Sequence, residues 1–315
     1  MAMVRFFSDP RMLEHVPPVG HPEAPERLSI LLRHLERTTV RAACASGTVR
    51  EATDEELLRI HDAAYLETLS RMASEGGGRI EADTWLGKGS ITAARLAAGA
   101  AIEAVSAVVA GPQRVAFCAV RPPGHHARPA HAMGFCLYGT VSAAAAHAVE
   151  VLGMSRVLVI DWDVHHGNGT QEIFYEDGRV GFLSLHRHPF YPGTGMKDET
   201  GSGRGLGWIK NLPTPYGTPR RAIVDQFTAA LEELADKTRP ELVLISAGFD
   251  AHANDPVGDL GLEIEDFEIM TQAVEQVADT HAGGRLVSVL EGGYDPVTLA
   301  QCVEAHLRVL GAETP

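Results

Sequence analysis

Short apolar runs alternate with longer segments of helical spacing along most of this chain. The apolar runs predict strands at residues 114–120, 156–160, 180–185, 241–246 and 286–290. Segments rich in Ala, Leu and Glu precede or separate them and predict helices at residues 90–110, 138–152, 220–237 and 265–281. Continuous apolar runs are typical of strands that are buried on both faces of a sheet. The pattern therefore predicts one α/β domain over residues 1–315, with a mostly parallel central sheet flanked by helices.

Two local patterns add detail to this prediction. Thr53 and Glu56 have the spacing of a capping box, which predicts the start of a further helix. Residues 191–218 are rich in Gly, Pro and Thr, and this composition predicts a long surface loop. The sequence leaves open whether that loop limits substrate size or forms an interface.

Polar side chains follow each of the five predicted strands at the point where the strand ends. In open parallel sheets, ligands bind beyond the carboxyl ends of the strands. Five separate segments therefore deliver residues suited to chemistry to one edge of the sheet. These residues are His125 and His126 after the first strand, Asp161, Asp163 and His165 after the second, then His186, Asp250 and Tyr294.

Asp163 and His165 are the first candidates for a metal site. Their spacing places both side chains on the same side of an extended segment, and Asp250 arrives from another strand end. Two carboxylates and one imidazole leave a coordination position open, as in catalytic zinc sites, whereas closed structural sites favour four ligands and cysteine. A buried, hydrogen-bonded Asp/His cluster without a metal is the alternative that these residues alone leave open.

The tandem His125-His126 and Tyr294 favour catalysis. A rigid Pro-Pro-Gly turn holds the two imidazoles near one point, where one of them can move a proton between water and a leaving amine. Asp161 and Asn168 flank the metal segment, and each can accept a hydrogen bond from a histidine N–H. Tyr294 follows two glycines and can present its hydroxyl to an oxyanion. Taken alone, an isolated tyrosine is more often a core residue, but the placement of Tyr294 after a strand and a Gly-Gly turn favours the catalytic role.

Composition narrows the classes of partner. The 315 residues include 41 acidic and 27 basic side chains, a formal net charge of −14, which argues against nucleic acid as a partner. An acidic surface attracts cationic ligands such as a Lys-rich tail or a polyamine, although acidity also serves solubility alone. No apolar run approaches the roughly 20 residues that cross a bilayer, so no membrane partner is expected. Four scattered cysteines and the lack of a secretory pattern predict reduced thiols and a cytoplasmic location.

Eight sequence blocks resemble, in order, the signature blocks of the zinc-dependent histone deacetylases. They are RPPGHHA, GFC, DWDVHHGNGTQ, SLH, YPGTG, SAGFDAH, DP and LEGGY, and HPEAPER precedes them near residue 21. Within that superfamily they look like class II and its bacterial histone-deacetylase-like and acetylpolyamine-hydrolysing relatives. The resemblance covers nearly the whole chain and implies the arginase/deacetylase-like α/β fold. It also implies an amidohydrolase that removes an acetyl or other acyl group from lysine or a similar amine.

The resemblance also implies roles for individual residues. Asp163, His165 and Asp250 would hold one catalytic Zn²⁺, His126 would act as general base and acid with His125 assisting, and Tyr294 would polarise the scissile carbonyl. Asp161 and Asn168 would be hydrogen-bond partners of the two histidines. Phe135 and Tyr191 would form the walls of the tunnel, Gly134 would accept a hydrogen bond from the substrate amide, and Val257 would lie beside the substrate. Arg27 would lie near an acetate exit, and a structural K⁺ would be surrounded by Asp161, Asp163, His165, Ser184 and Leu185.

Two positions distinguish the chain from other members of the superfamily. Asn168 stands where class I members have Asp, which fits the class II pattern and should stabilise a histidinium less than a carboxylate would. Gly139 stands where many class II relatives continue the GFC block into an asparagine.

Several alternatives compete with an acetyl-lysine deacetylase. Arginase-like ureohydrolases need further aspartates for a second manganese ion, and Gly167 and Gly248 stand at those positions here. A non-catalytic acetyl-lysine-binding module is disfavoured because the full set of catalytic side chains is present. Polyamine-specific relatives carry glutamate at the position of Val257, so an acetylated lysine in a peptide or protein is favoured over an acetylated polyamine or another small amide. The sequence leaves open whether the chain forms homo-oligomers.

Overall fold

Residues 4–312 are described by a computed structural model, and a single large sheet organises them. In chain order the elements are β1 (Val4–Phe7), α1 (Pro25–Arg37), α2 (Val40–Ala43), β2 (Ala45–Ser46), α3 (Asp54–Leu57), α4 (Ala63–Ser74), β3 (Gly78–Arg79), β4 (Trp85–Leu86), α5 (Ser90–Ala110), β5 (Val115–Cys118), α6 (Thr140–Glu150), β6 (Val157–Asp161), α7 (Asn168–Phe174), β7 (Val180–Arg187), β8 (Ile209–Thr214), α8 (Arg220–Thr238), β9 (Leu242–Ala247), α9 (Ile264–His281), β10 (Leu286–Leu290) and α10 (Pro296–Val309). Short 3₁₀ helices lie at Pro10–Glu14 and Gly203–Gly205.

The large sheet has eight strands in the order β2-β1-β5-β10-β9-β6-β7-β8, and every pair of neighbours is parallel. Helices α1, α10, α9 and α8 pack in series as one layer, and α5 packs against α6. The central strands β6, β9 and β10 are buried along their whole length, as their continuous apolar runs require. The predicted α/β fold with a parallel central sheet is therefore confirmed.

The five predicted strands and four predicted helices are present, with their ends within two residues of the predicted positions. The prediction of a loop over residues 191–218 is wrong in part, because β8 lies within it. This strand is at the edge of the sheet, where Lys210 and Pro213 are only partly buried, so the apolar run is broken. Proline is tolerated on edge strands because the lost N–H has no partner there. Strands β1 and β2 also escaped prediction, since Arg5 interrupts the apolar run of β1 and β2 is only two residues long.

The local prediction at Thr53 is also confirmed. Thr53 Oγ1 accepts the N–H of Glu56 at 3.2 Å, and the Glu56 carboxylate accepts the N–H of Thr53 at 2.8 Å, which completes the capping box of α3. Trp162 is fully buried and lies edge-on to Phe227 of α8. The four cysteines are buried and form no disulfide. Residues 1–3 and 313–315 lie outside the described residues, so a domain that extends over residues 1–315 stays a prediction.

Helix α5 is long and apolar enough to cross a membrane by length and composition, contrary to the expectation that no segment approaches this limit. Its most apolar window has a mean hydropathy of 1.6, and 67% of that window is buried inside the fold. Core helices of soluble proteins pass the same test, so the helix is weak evidence for a membrane span. The cytoplasmic location stays a prediction.

Candidate active site

Three side chains with metal-ligand atoms converge at the carboxyl ends of β6 and β9. Candidate ligand atoms of Asp163, His165 and Asp250 all lie within 4.8 Å of one another, and all three residues are buried. His165 Nδ1 is 3.1 Å from Asp163 Oδ1 and 3.1 Å from Asp250 Oδ2. The sequence predicted that these residues meet, and the structure brings them together.

The electrostatics of this group favour an added positive charge. Burial and then the Asp163 carboxylate raise the pKa of Asp250 to about 7. Burial opposes protonation of His165, but its hydrogen bonds to Asp163 and Asp250 outweigh burial and raise its pKa to about 9. Within the described part of the chain, the ion pairs of Asp163 and Asp250 involve only histidines and no lysine or arginine. Two buried carboxylates and one buried imidazole, without a lysine or arginine to balance the carboxylates, form a ligand set that suits a zinc ion.

His125 and His126 stand beside this group, and each ring has Nδ1 against an acceptor. His125 Nδ1 is 2.9 Å from Asp161 Oδ2, and His126 Nδ1 is 2.7 Å from Asn168 Oδ1. The two ring centroids are 4.0 Å apart. An acceptor at Nδ1 fixes the ring orientation and turns Nε2 away from that acceptor. The predicted hydrogen bonds of Asp161 and Asn168 to the tandem histidines are thus present.

The two histidines differ in the charge that their surroundings favour. Burial would lower the pKa of His125, but the carboxylates of Asp163 and Asp161 raise it well above its usual value. Burial, followed by the neighbouring charges of His125 and His165, lowers the pKa of His126 well below its usual value. The neutral ring is therefore favoured at His126, which has an amide as its partner, and a neutral imidazole is the form that accepts a proton.

Glu291 holds the turn that carries the tandem histidines, and sequence reasoning assigned it no role. Its Oε2 accepts the backbone N–H groups of Gly124 at 2.6 Å and His125 at 3.2 Å. Its Oε1 accepts the hydroxyl of Ser246 at 3.1 Å. Glu291 is fully buried. A glutamate directly after an apolar strand was the signal in the sequence, because a buried carboxylate needs donors around it.

Tyr294 reaches the same site from the end of β10. Arg27 lies over its ring, with Cζ 4.8 Å from the ring centroid, and donates to the carbonyl of Gly293 at 2.6 Å. Arg27 also pairs with Glu23 at 3.1 Å, and both side chains are buried. On its other side the Tyr294 ring meets Phe135 edge-on at a centroid distance of 5.6 Å. The ring is therefore held between a guanidinium and an aromatic wall.

A pocket of about 230 Å³ opens onto these groups. Phe190 stacks on His165 with ring centroids 5.2 Å apart, and Tyr191 meets His126 edge-on at 5.3 Å. Phe135 forms the wall opposite, at a positive φ of 66° that only a few non-glycine residues adopt. The lining residues are Asp83, His126, Gly134, Phe135, His165, Phe190, Tyr191, Val257 and Tyr294. The predicted tunnel residues thus line one pocket.

Three residues at the pocket escaped the sequence analysis: Asp83 and Phe190, which line it, and Thr84, which supports its wall. Phe190 precedes the predicted Tyr191, and Thr84 is fully buried and accepts the N–H of Phe135 at 3.0 Å. The contact between Thr84 and Phe135 joins loops that are far apart in sequence, so no local pattern marked it. A larger cavity of about 390 Å³ is lined by none of the predicted site residues and includes Pro112, Arg114, Glu275 and Asp279. The smaller pocket is the better candidate because ionisable groups converge on it.

Two glycines leave no room for a second set of carboxylate ligands. A Cβ atom at Gly248 would lie 2.2 Å from Asp163 Oδ2, and one at Gly167 would lie 2.1 Å from Asp161 Oδ2. Both distances are far below any real contact. The backbone therefore approaches the site too closely for the additional aspartates of a two-manganese ureohydrolase.

The remaining predicted residues occupy varied places. Ser184 pairs in register with Asp161 across β7 and β6, and Leu185 follows it in β7. His186 is buried and its Nε2 is 3.0 Å from the carbonyl oxygen of Gly195, so it contacts the loop that follows Tyr191. His21 packs edge-on against Phe135 at 4.7 Å. The arrangement of Asp161, Ser184 and Leu185 does not test the predicted K⁺ site, which stays a prediction.

Comparison with known proteins gives consistent matches. Residues 21–310 match the histone deacetylase domain. The chain is 40% identical over 284 residues to the histone deacetylase-like amidohydrolase of Pseudomonas aeruginosa, covering 90% of this chain and 75% of that protein. It is 39% identical to the polyamine deacetylase HDAC10 of Homo sapiens, covering 89% of this chain and 43% of that protein.

A solved structure agrees with the sequence matches. The crystal structure of the HDA15 HD domain superposes with a TM-score of 0.91 at 35% identity, covering 98% of this chain and 88% of that chain. Histone deacetylase 15 of Arabidopsis thaliana is 37% identical over 98% of this chain, which spans 56% of that protein. The resemblance found in the sequence blocks is thereby confirmed. The chain belongs to the histone deacetylase family and is an amide-hydrolysing deacetylase of that family.

Proposed function

We propose that this protein is a zinc-dependent deacetylase that hydrolyses the acetyl amide of an acetylated lysine in a peptide or protein. One observation carries the proposal. The buried Asp163, His165 and Asp250 converge at a narrow aromatic pocket that His126 and Tyr294 also line. A slender amide that enters between the aromatic walls would meet all of these groups at once, which is the requirement for their joint action.

Asp163, His165 and Asp250 are the residues that would hold the zinc ion. When bound, zinc polarises the amide carbonyl and makes water a stronger nucleophile near neutral pH. The shortage of positive charge among these three side chains supports this assignment. The same shortage argues against a purely structural cluster, in which buried carboxylates would be paired within the protein.

The tandem histidines would move the proton. His126, neutral and oriented by Asn168, takes a proton from the attacking water and later delivers it to the nitrogen of the leaving amine. The C–N bond breaks, and acetate and a free amine result. His125, held by Asp161 and favoured in its charged form, orients the water and stabilises negative charge.

Tyr294 would donate a hydrogen bond to the carbonyl oxygen as negative charge develops on it. Its hydroxyl is protonated at any physiological pH because burial raises its pKa well above the usual value. Arg27, buried against the same ring, is assigned to the route by which acetate leaves. The presence of this full set of groups favours an enzyme over a module that only binds acetyl-lysine.

The pocket also bears on the choice of substrate. Phe135 and Tyr191 would enclose the aliphatic stem of the lysine, and Gly134 would offer its carbonyl to the substrate amide. Val257 lines the pocket where a charged residue would be needed to pair with a second ammonium group. An acetylated polyamine is the second candidate, favoured by the Asp83 carboxylate at the pocket and by the similarity to a polyamine deacetylase.

We also propose that a structural K⁺ ion is bound by Asp161, Asp163, His165, Ser184 and Leu185.

The test is a pair of hydrolysis assays on protein that has been stripped with a chelator and then supplied with zinc. A fluorogenic acetyl-lysine peptide and N-acetylputrescine serve as parallel substrates, with Tyr294→Phe and His126→Ala as variants. We expect zinc-dependent release of acetate from the peptide, lost in both variants. Faster turnover of N-acetylputrescine would keep the mechanism and overturn the substrate assignment. Stoichiometric zinc without hydrolysis of either substrate would contradict the proposed function.

A further inference from the structure

Asp255 connects two segments of the pocket wall through a single buried carboxylate. Its Oδ2 accepts the backbone N–H of Tyr294 at 2.6 Å. Its Oδ1 accepts the backbone N–H groups of Val257 and Gly258 at 2.9 Å each. The carboxylate therefore joins the segment that follows Asp250 to the turn that carries Tyr294.

The turn before Tyr294 consists of two glycines and depends on its hydrogen bonds to hold one conformation. Gly293 has a φ of +123°, a conformation that other residues rarely adopt, and Gly292 precedes it. Within the described residues, the other polar contacts of this turn involve the two glycines, such as the bond from Gly292 N–H to Asp163 Oδ2 at 2.9 Å. The bond to Asp255 is the one made by the backbone of Tyr294 itself. It fixes the Cα from which the ring projects into the pocket.

We propose that Asp255 is a positioning residue for the hydrolysis, acting through Tyr294. The inference rests on the proposed function, in which the Tyr294 hydroxyl stabilises the carbonyl oxygen. Both oxygens of Asp255 are needed as acceptors, since backbone N–H groups face both of them. Asparagine has the same shape but turns one acceptor into a donor, which must then face Tyr294 or the Val257 and Gly258 amides. Either arrangement displaces the pocket wall, and a displacement of about 1 Å can cost on the order of 10²-fold in rate.

The test is a double-mutant cycle between Asp255→Asn and Tyr294→Phe. A trifluoroacetyl-lysine peptide is the substrate, because its more electrophilic carbonyl keeps the Tyr294→Phe turnover measurable. We expect Asp255→Asn alone to lower kcat by about 10- to 100-fold, with a much smaller change in KM. In the Tyr294→Phe background the same substitution should lower kcat by less than about twofold, because residues that act as a unit are non-additive.

Asp259→Asn is the matched control. Asp259 lies in the same segment and also accepts a backbone N–H, from Gly261 at 2.8 Å, but it makes no hydrogen bond to Tyr294. It should retain kcat. Should Asp255→Asn fail to fold, Asp255→Glu gives the same test, since its carboxylate is one methylene too long for the present bonds.

Three results would count against the inference. Unchanged kcat in Asp255→Asn would overturn it, and so would equal losses in the two backgrounds, because Asp255 would then act independently of Tyr294. Absence of turnover by the unsubstituted protein would instead overturn the proposed function, and the inference with it.

Discussion

Two buried clusters of charged side chains lie at the carboxyl end of the sheet and differ in how their charges are balanced. The metal cluster consists of Asp163, His165 and Asp250. The arginine cluster consists of Glu23, Arg27 and Arg121, in which Glu23 pairs with Arg121 at 2.7 Å and with Arg27 at 3.1 Å. In the arginine cluster the protein supplies all the positive charge that its carboxylate needs. In the metal cluster the protein supplies two carboxylates, and a single histidine is the only group of the cluster that can carry positive charge.

The difference separates buried charge that is balanced within the protein from buried charge that is not. Burial disfavours the ionised form of Glu23, but the guanidinium of Arg121 and the contacts of His15 and Arg27 hold its pKa well below the usual value. The same burial, and then the Asp163 carboxylate, raise the pKa of Asp250, because the opposing contact with His165 is too weak to offset them. Buried carboxylates whose ion pairs within the described residues involve only histidines are candidates for binding a cation from outside.

Asp250→Asn should have the largest effect, on catalysis. Asparagine can still accept the N–H of Val164, which now meets Asp250 Oδ1 at 2.9 Å, so the fold should persist. The loss of one anionic ligand should lower kcat/KM by about 10³-fold or more, since metal assistance supplies several kcal/mol to such reactions. Steady-state assays on acetyl-lysine peptide measure the effect. Retention of more than a tenth of the activity would show that Asp250 is not a ligand.

Glu23→Gln should act on stability instead. The substitution leaves Arg27 and Arg121 buried without their carboxylate, and breaking a buried ion pair in this way costs about 3 kcal/mol. Denaturant unfolding measures the change. Glu26→Gln, at the start of α1 just after Glu23, is the control, since Glu26 is exposed and should change stability by less than about 0.5 kcal/mol. Equal effects of the two substitutions would contradict a structural role for the arginine cluster.

Zinc should stabilise the folded protein through the metal cluster alone. A ligand that binds only the folded state at 100 times its Kd adds roughly 2.7 kcal/mol to the free energy of unfolding. Thermal unfolding of chelator-treated protein, with and without zinc, measures this gain. The gain should disappear in Asp250→Asn and persist in Glu23→Gln where that variant folds. A gain that survives in Asp250→Asn would place the ion elsewhere.

Glu56→Gln should have the smallest effect, because Glu56 pairs with Arg50 near the surface. Hydrogen bonding to the Arg50 side chain lowers the pKa of Glu56 to about 2, against the opposing effect of burial. A lowered pKa means stabilisation that is present above about pH 4.5 and is lost as the pH falls towards 2. The variant should lose about 1 kcal/mol at pH 7 through the ion pair with Arg50, since glutamine can retain the capping box of α3. Unfolding curves should converge with those of the unsubstituted protein near pH 2, and a gap that is constant with pH would contradict the argument.

The metal cluster could be predicted from the sequence because its residues follow the ends of buried strands. Asp163 and Asp250 come after apolar runs that are visible without any alignment, and the parallel sheet then brings them to one edge. The histidine partners Asp161 and Asn168 could be predicted for the same reason. Asp161 and Asn168 are only a few residues from Asp163 and His165 along the same segment, so their side chains must lie near the metal cluster.

The arginine cluster and Asp255 could not be predicted in the same way. Glu23 and Arg121 are brought together by loops that pack over the sheet, and nothing in the local sequence of either residue indicates its partner. Asp255 binds backbone N–H groups, which every residue except proline carries. Strand β8 was missed because Lys210 and Pro213 lie at partly buried positions and interrupt its apolar run. These features depend on tertiary packing, which a single sequence does not display.

Calorimetric titration of zinc into chelator-treated protein tests the central contrast most directly. The two clusters predict one zinc ion per chain, bound by the unsubstituted protein and by Asp259→Asn but not by Asp250→Asn. Binding of the same amount of zinc by Asp250→Asn, or no binding by the unsubstituted protein, would contradict the assignment of the metal cluster.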